Sequence, residues 1–169
     1  VNKLTKKARE SYDENHWIKP KENNALYYCN QILDINPNHQ FANNIKKEMY
    51  TYYFSKADKA MEIENFSTAE KNYKKAFKVL PDKIKQRKEI VTQFREIAGK
   101  HLKQLKTNKA KNHYEKALSI AKMNPQLQQL TEQIQNLLDS PREISKLKIK
   151  ANQHYNQGEF QEALASYRE

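Results

Sequence analysis

The chain has 169 residues, of which 31 are Lys or Arg and 20 are Asp or Glu, a formal net charge of +11. Two glycines and five prolines are too few for a sheet-rich fold with many tight turns, while Ala, Leu, Lys, Glu and Gln fill the periodic segments, so the class is all-α. A hydrophobic fraction of 37% with a mean hydropathy of −1.07 suits a stack in which each unit touches only its neighbours; one cysteine excludes an internal disulfide, and no apolar run is long enough to span a membrane.

In chain order, Leu4, Ala8 and Tyr12 recur every four residues and predict a first helix over residues 3–15, with a partner over 23–33. Asn36-Pro37 reads as an asparagine cap with proline at the first helical position. The apolar series Phe41, Ile45, Met49, Tyr52, Tyr53, Ala57, Ala60 then runs unbroken to Met61. Ser67 and Glu70 make a capping box for a helix that Pro81 cannot continue. Ile90, Phe94, Ile97, Ala98, His101, Leu102 and Leu105 share one side of a helix over 83–105, and Thr107 is a cap for its partner, which ends near Met123. Asn124-Pro125 repeats the cap-plus-proline start, with Leu127, Leu130, Ile134 and Leu137 as the seam of a helix reaching residue 139. Ser140-Pro141-Arg142-Glu143 is a further capping box, opening a helix whose Ile144, Leu147, Ala151 and Tyr155 form one face and which Gln157-Gly158 ends. The last helix begins at Glu159. The chain starts without Met and stops at Tyr167-Arg168-Glu169 within that helix, which reads as a fragment of a larger protein.

One spacing recurs. Ala57 is followed twelve residues on by Ala69, then by Tyr73, Ala76 and Pro81. The pattern returns at Ala98, Leu102, Ala110, Tyr114 and Ala117, and again at Ala151, Tyr155, Gly158, Phe160, Ala163 and Tyr167. Its back half stands at Ala25, Cys29, Ile32 and Pro37, behind a looser front half at Ala8 and Tyr12 and a longer turn through Trp17, Ile18 and Pro20. Small residues let two antiparallel helices approach closely, and the aromatic residues face the turn back. These residues resemble tetratricopeptide repeats. The resemblance implies an α-solenoid of about eight or nine helices in a right-handed superhelix. Its units would be residues 1–37, 39–81 and 84–123, an extra helix over 125–139 and a truncated unit over 141–169. The turn glycine of the family survives only as Gly158, with Glu64 and Leu105 in equivalent places. Residues 23–42 are also similar to degenerate repeats beside other domains in bacterial signalling and envelope proteins.

No catalytic set converges: the five histidines are scattered, two glycines cannot build a phosphate loop, and Cys29 takes an aromatic packing position, where it reads as a buried apolar residue. No cofactor, metal or enzymatic activity is expected. The segment 84–124 holds eleven Lys and Arg against three Asp and Glu, so most of the net charge sits there. On a helical wheel Lys85, Lys88, Arg95, Lys103 and Lys106 form a stripe beside the apolar face, either a solvated surface or one turned to an anion. The resemblance further implies a concave partner-binding groove along the first helix of each unit. That groove would take in Phe54, Ser55, Asp58 and Glu62, then Arg95, Glu96, Gly99 and Lys103, then Lys148, Ile149, Asn152 and Asn156. Ile149 lies off the apolar seam, so it either anchors a ligand peptide or covers the inserted helix. Chaperone-binding members clamp a peptide carboxylate with Lys and Asn where Phe54 and Asp58 stand here, which argues against that role. The expected function is a non-catalytic scaffold docking a partner peptide, or another domain of the parent chain. The alternative is nucleic-acid or anion binding through the basic segment. Self-association through the terminal repeats is open. The expected compartment is the cytoplasm, or an envelope setting if the parent protein is anchored there.

Overall fold

The computed structural model is all-α, with no strand among the described residues. It describes the backbone of residues 1–168 and the side chains of all of these but Ser140, Arg142, Tyr167 and Arg168, so the expected packing of Tyr167 and the expected Ser140 cap lie outside the described residues. The helices are α1 (Asn2–Asp13), α2 (Ala25–Ile35), α3 (Gln40–Glu62), α4 (Phe66–Val79), α5 (Ile84–Lys103), α6 (Thr107–Ala121), α7 (Gln128–Leu137), α8 (Asp139–Asn156) and α9 (Phe160–Arg168), with a 3-10 turn at Pro125–Leu127 leading into α7. They form two compact units, Val1–Lys83 and Ile84–Glu169.

Adjacent helices pair. In the first unit α1 packs on α2 and α3 on α4, while α3 also lies against α2 and touches α1. In the second unit α5 packs on α6 and α8 on α9, and α6 meets both α7 and α8. The recurring alanines sit where the paired helices meet: Ala8, Ala57, Ala98 and Ala151 on the first helix of each hairpin and Ala25, Ala69 and Ala110 on the second are all wholly inaccessible. Tyr73 and Tyr114 are buried beside them, as expected from the spacing. A larger residue at the alanines would hold the helix axes apart, since protein interiors leave no slack for an added methylene.

The four hairpin turns share one geometry, which explains the positions left without glycine. Asn15, Glu64, Leu105 and Gly158 all have positive φ, at 60°, 55°, 55° and 78°. In each turn the N–H of that residue donates to the carbonyl three back, and the next N–H donates to the carbonyl five residues before it. Asn65 thus reaches Ala60, Lys106 reaches His101, His16 reaches Ser11 and Glu159 reaches His154, at 2.8–2.9 Å. These bonds satisfy carbonyls that the end of a helix leaves open.

Several helix ends differ from the expected ones. Asn36 closes α2 instead of opening α3: its Oδ1 accepts from Asn38 N at 3.2 Å, and α3 starts three residues later than expected, at Gln40, where His39 Nδ1 accepts from Ala42 N at 3.4 Å. The cap of α4 is Asn65, whose Oδ1 accepts from Thr68 N at 3.2 Å, so Ser67 falls inside the helix. Thr107 is the first residue of α6 and not its cap. Asn124 does cap the following turn, accepting from Gln126 N at 2.8 Å. The helix after it is shorter than expected, and α8 follows through the helical backbone of Leu138. At α3 and α4 a competing polar residue two or three positions away, His39 or Asn65, sits where the turn delivers an open N–H.

Left-handed backbone costs a side-chain-bearing residue about 1 kcal/mol or more. Glu64→Gly and Leu105→Gly are therefore expected to stabilise the protein by about 0.5–1 kcal/mol each in urea unfolding, and Asn15→Gly by less, because asparagine tolerates this region. A loss of stability on both changes would contradict the shared turn geometry.

Candidate functional site

In the first unit, α3 presents the expected groove residues on two different flanks. Ser55 and Glu62 are exposed. Phe54 is half-buried, with its ring centroid 5.3 Å from that of Tyr50, 5.2 Å from Tyr73 and 6.1 Å from Phe77, in the wedge between α3 and α4. Asp58, one turn on, is also committed inward. It accepts a 2.6 Å hydrogen bond from the Tyr73 hydroxyl, and burial together with this carboxylate raises the pKa of the phenol.

In the second unit Glu96, Lys103, Asn152 and Asn156 are exposed and Arg95 is half-buried. Gly99 faces the α5–α6 interface, where a Cβ would lie 4.0 Å from the Tyr114 hydroxyl. Lys148 Nζ donates to the Leu105 carbonyl at 3.2 Å, tying α8 to the α5–α6 turn. Ile149 is 59% exposed, so it does not cover the inserted helix. Of the basic stripe, Lys85, Lys88, Lys103 and Lys106 are exposed, with Lys106 Nζ 2.8 Å from Gln104 Oε1.

Two grooves are built around these helices, one in each unit. The first, about 570 Å³, lies between α1 and α3 and is lined by Tyr12, Asn44, Lys47, Glu48, Thr51 and Tyr52. None of the six was expected from the sequence. The wall is aromatic. Tyr12 stacks on Trp17 at 5.2 Å, Trp17 Nε1 donates to the Tyr12 carbonyl at 3.0 Å, and the Trp17 ring meets Tyr52 edge-on at 4.7 Å. The Tyr12 hydroxyl donates to Glu48 at 2.8 Å, and burial with that bond pushes its pKa up to about 12. The long turn after α1, whose Trp17 and proline the sequence did reveal, carries this platform.

The second groove, about 430 Å³, runs along α5 and is lined by Lys85, Lys88, Glu89, Thr92, Gln93 and Glu96. Lys85, Lys88 and Glu96 were expected at a binding surface. Glutamates interleave the lysines, so this is a mixed-charge face and not a cationic track.

The two linings stand in one register. Asn44, Lys47, Glu48, Thr51 and Tyr52 lie 41 positions before Lys85, Lys88, Glu89, Thr92 and Gln93, the same separation as between the turn residues Glu64 and Leu105. A Lys-Glu-x-x-Thr face is thus repeated at the same height on two equivalent helices. Threonine is a poor helix former, and on a helix it commonly bonds back to the carbonyl four residues earlier, as Thr5 and Thr131 do. Thr51 and Thr92 make no hydrogen bond through their hydroxyls among the described residues, which leaves both open to a ligand. Each face offers an ammonium donor, a carboxylate acceptor and a hydroxyl that can do either. Among the described residues, no group of three or more His, Cys, Asp or Glu side chains could hold a metal ion.

Between α5 and α6, the Phe94, His113 and His101 rings stack in a column, with centroids 6.3 Å and 5.2 Å apart. Burial, then the His101 ring, Lys116 and Lys109, push the His113 pKa from 6.5 down to about 4. The unfolded chain therefore takes up a proton below 6.5 that the folded protein refuses until about 4. This contribution to stability is complete above 6.5 and is lost as the pH falls to 4. His113→Phe is expected to remove on the order of 2 kcal/mol of the acid-side decline in stability between those values. Superimposable stability-against-pH curves for the two proteins would contradict a neutral buried His113. In comparisons with known proteins, no family model matches the chain and no curated protein matches it.

Proposed function

We propose that the chain is a tetratricopeptide-like scaffold, without catalysis, in which the exposed face of α3 and that of α5 each hold an extended peptide of a partner protein. The observation that carries this reading is the repeated Lys-Glu-x-x-Thr face. Lys47, Glu48 and Thr51, like Lys88, Glu89 and Thr92, offer donors and acceptors over about one turn of helix, suited to the alternating C=O and N–H groups of an extended main chain. The Tyr12–Trp17–Tyr52 platform adds an apolar shelf beside one of them, where a partner's side chain gains contact area at small entropic cost. Four hairpins with the same turn geometry and buried alanines support the family resemblance.

Nucleic-acid binding is the weaker reading, because Glu89 and Glu96 lie among the lysines of the α5 groove and would repel a phosphate backbone.

Selection of a random dodecapeptide library against the intact protein tests the proposal. Each recovered peptide is expected to lose at least fivefold in affinity either on Thr51→Val and Lys47→Glu or on Thr92→Val and Lys88→Glu, according to the face that holds it, about a hydrogen bond's worth or more. Peptides whose binding ignores all four substitutions would overturn it.

A further inference from the structure

The hairpin α8–α9 leaves a continuous apolar face in the open. Tyr155, Phe160 and Leu164 are 62%, 63% and 51% exposed, the first two rings meet edge to face at 5.5 Å, and Leu164 lies one turn along α9 from Phe160. Side chains of this size grouped on a surface mark a place where something binds.

The hairpin α1–α2 shows what fits there. Counted from the left-handed turn residue, Leu4, Ala8 and Tyr12 of α1 occupy the places of Leu147, Ala151 and Tyr155 of α8. On the second helix, Ala25-Leu26 corresponds to Ala163-Leu164. All five residue types agree, whereas the other two hairpins carry Glu70 and Lys111 in place of the leucine after the alanine. In α1–α2 this surface is covered by α3. Leu26 is only 5% exposed, in one cluster with Ala42, Ile45 and Met49 of α3, and the Tyr12 hydroxyl donates to Glu48 of the same helix. In the second unit α6 is covered in a comparable way by α7 and α8.

We propose that the face formed by Tyr155, Phe160 and Leu164 docks an amphipathic helix from outside these 169 residues, patterned as α3 is. That helix would carry a small residue, large apolar residues three, seven and eleven positions later, and a carboxylate six positions after the small residue to accept the Tyr155 hydroxyl. A second copy of this chain does not supply it. The ridge of its own α3 is already buried, and the open positions of α1 are Lys3, Lys6, Lys7, Glu10 and Asp13. None of the docking residues belongs to the two grooves, so this proposal fails or survives separately from the peptide reading.

The probe is a synthetic peptide of residues 40–62, titrated by fluorescence anisotropy into the intact protein. Saturable one-to-one binding is expected, weakened at least tenfold by Leu164→Lys. Tyr155→Phe is expected to weaken it about fivefold, the loss of one hydrogen bond, and to have no further effect when the probe carries Glu48→Gln. Both substituted side chains are largely exposed, and unchanged circular dichroism is to confirm that the variants fold. Absence of binding, or binding indifferent to Leu164→Lys, would overturn the proposal. So would a concentration-dependent dimer, abolished by Leu164→Lys, that forms in place of the complex with the probe.

Discussion

The close approach of two helices at facing alanines is the constraint on which everything else in each hairpin depends. Ala57 and Ala69, or Ala98 and Ala110, have no accessible surface, and a close-packed interior leaves little slack for a larger side chain there. In three of the hairpins the chain reverses briefly, and the left-handed residue at Glu64, Leu105 or Gly158 starts the reversal by closing the helix with two backbone hydrogen bonds. The aromatic residues then fill the wedge where the helices diverge: Tyr73, Phe77 and Phe54 in one hairpin, Tyr114 and Phe94 in another.

The grooves follow from what this packing leaves over. Once one flank of α3 faces α4 and another faces α2, the stripe through Asn44, Lys47, Thr51 and Ser55 is the part of the helix free to meet a partner. The corresponding stripe on α5 carries Lys88, Glu89 and Thr92. Net charge contributes to long-range attraction, but Glu89 and Glu96 decide what can lie against α5 at contact distance.

The alanine and tyrosine spacing was legible in the sequence because it is set by helix periodicity alone, and so was the turn role of Glu64 and Leu105, which fell at the place of Gly158. Caps were less legible: Asn65 and Ser67, or Asn36 and His39, are chemically equivalent candidates until the turn decides which faces an open N–H. The contacts of Phe54 and Asp58 with Tyr73 were not legible, because a few tens of degrees on a helical wheel separate the flank that faces the neighbour from the flank that faces solvent. The α1–α3 groove could not be read at all, since it depends on the long turn laying Trp17 between Tyr12 and Tyr52, a tertiary contact with no local signature. The Lys-Glu-x-x-Thr repeat was available in the sequence, hidden by attention to the lysines alone.

The alanine contact is tested most directly by urea unfolding of Ala57→Leu and Ala98→Leu beside a control, Ala165→Leu, at an exposed position of α9. Overpacking at the two buried positions is expected to cost about 1–3 kcal/mol each, with the control close to the parent protein. Stabilities of Ala57→Leu and Ala98→Leu indistinguishable from that of the control would contradict the account.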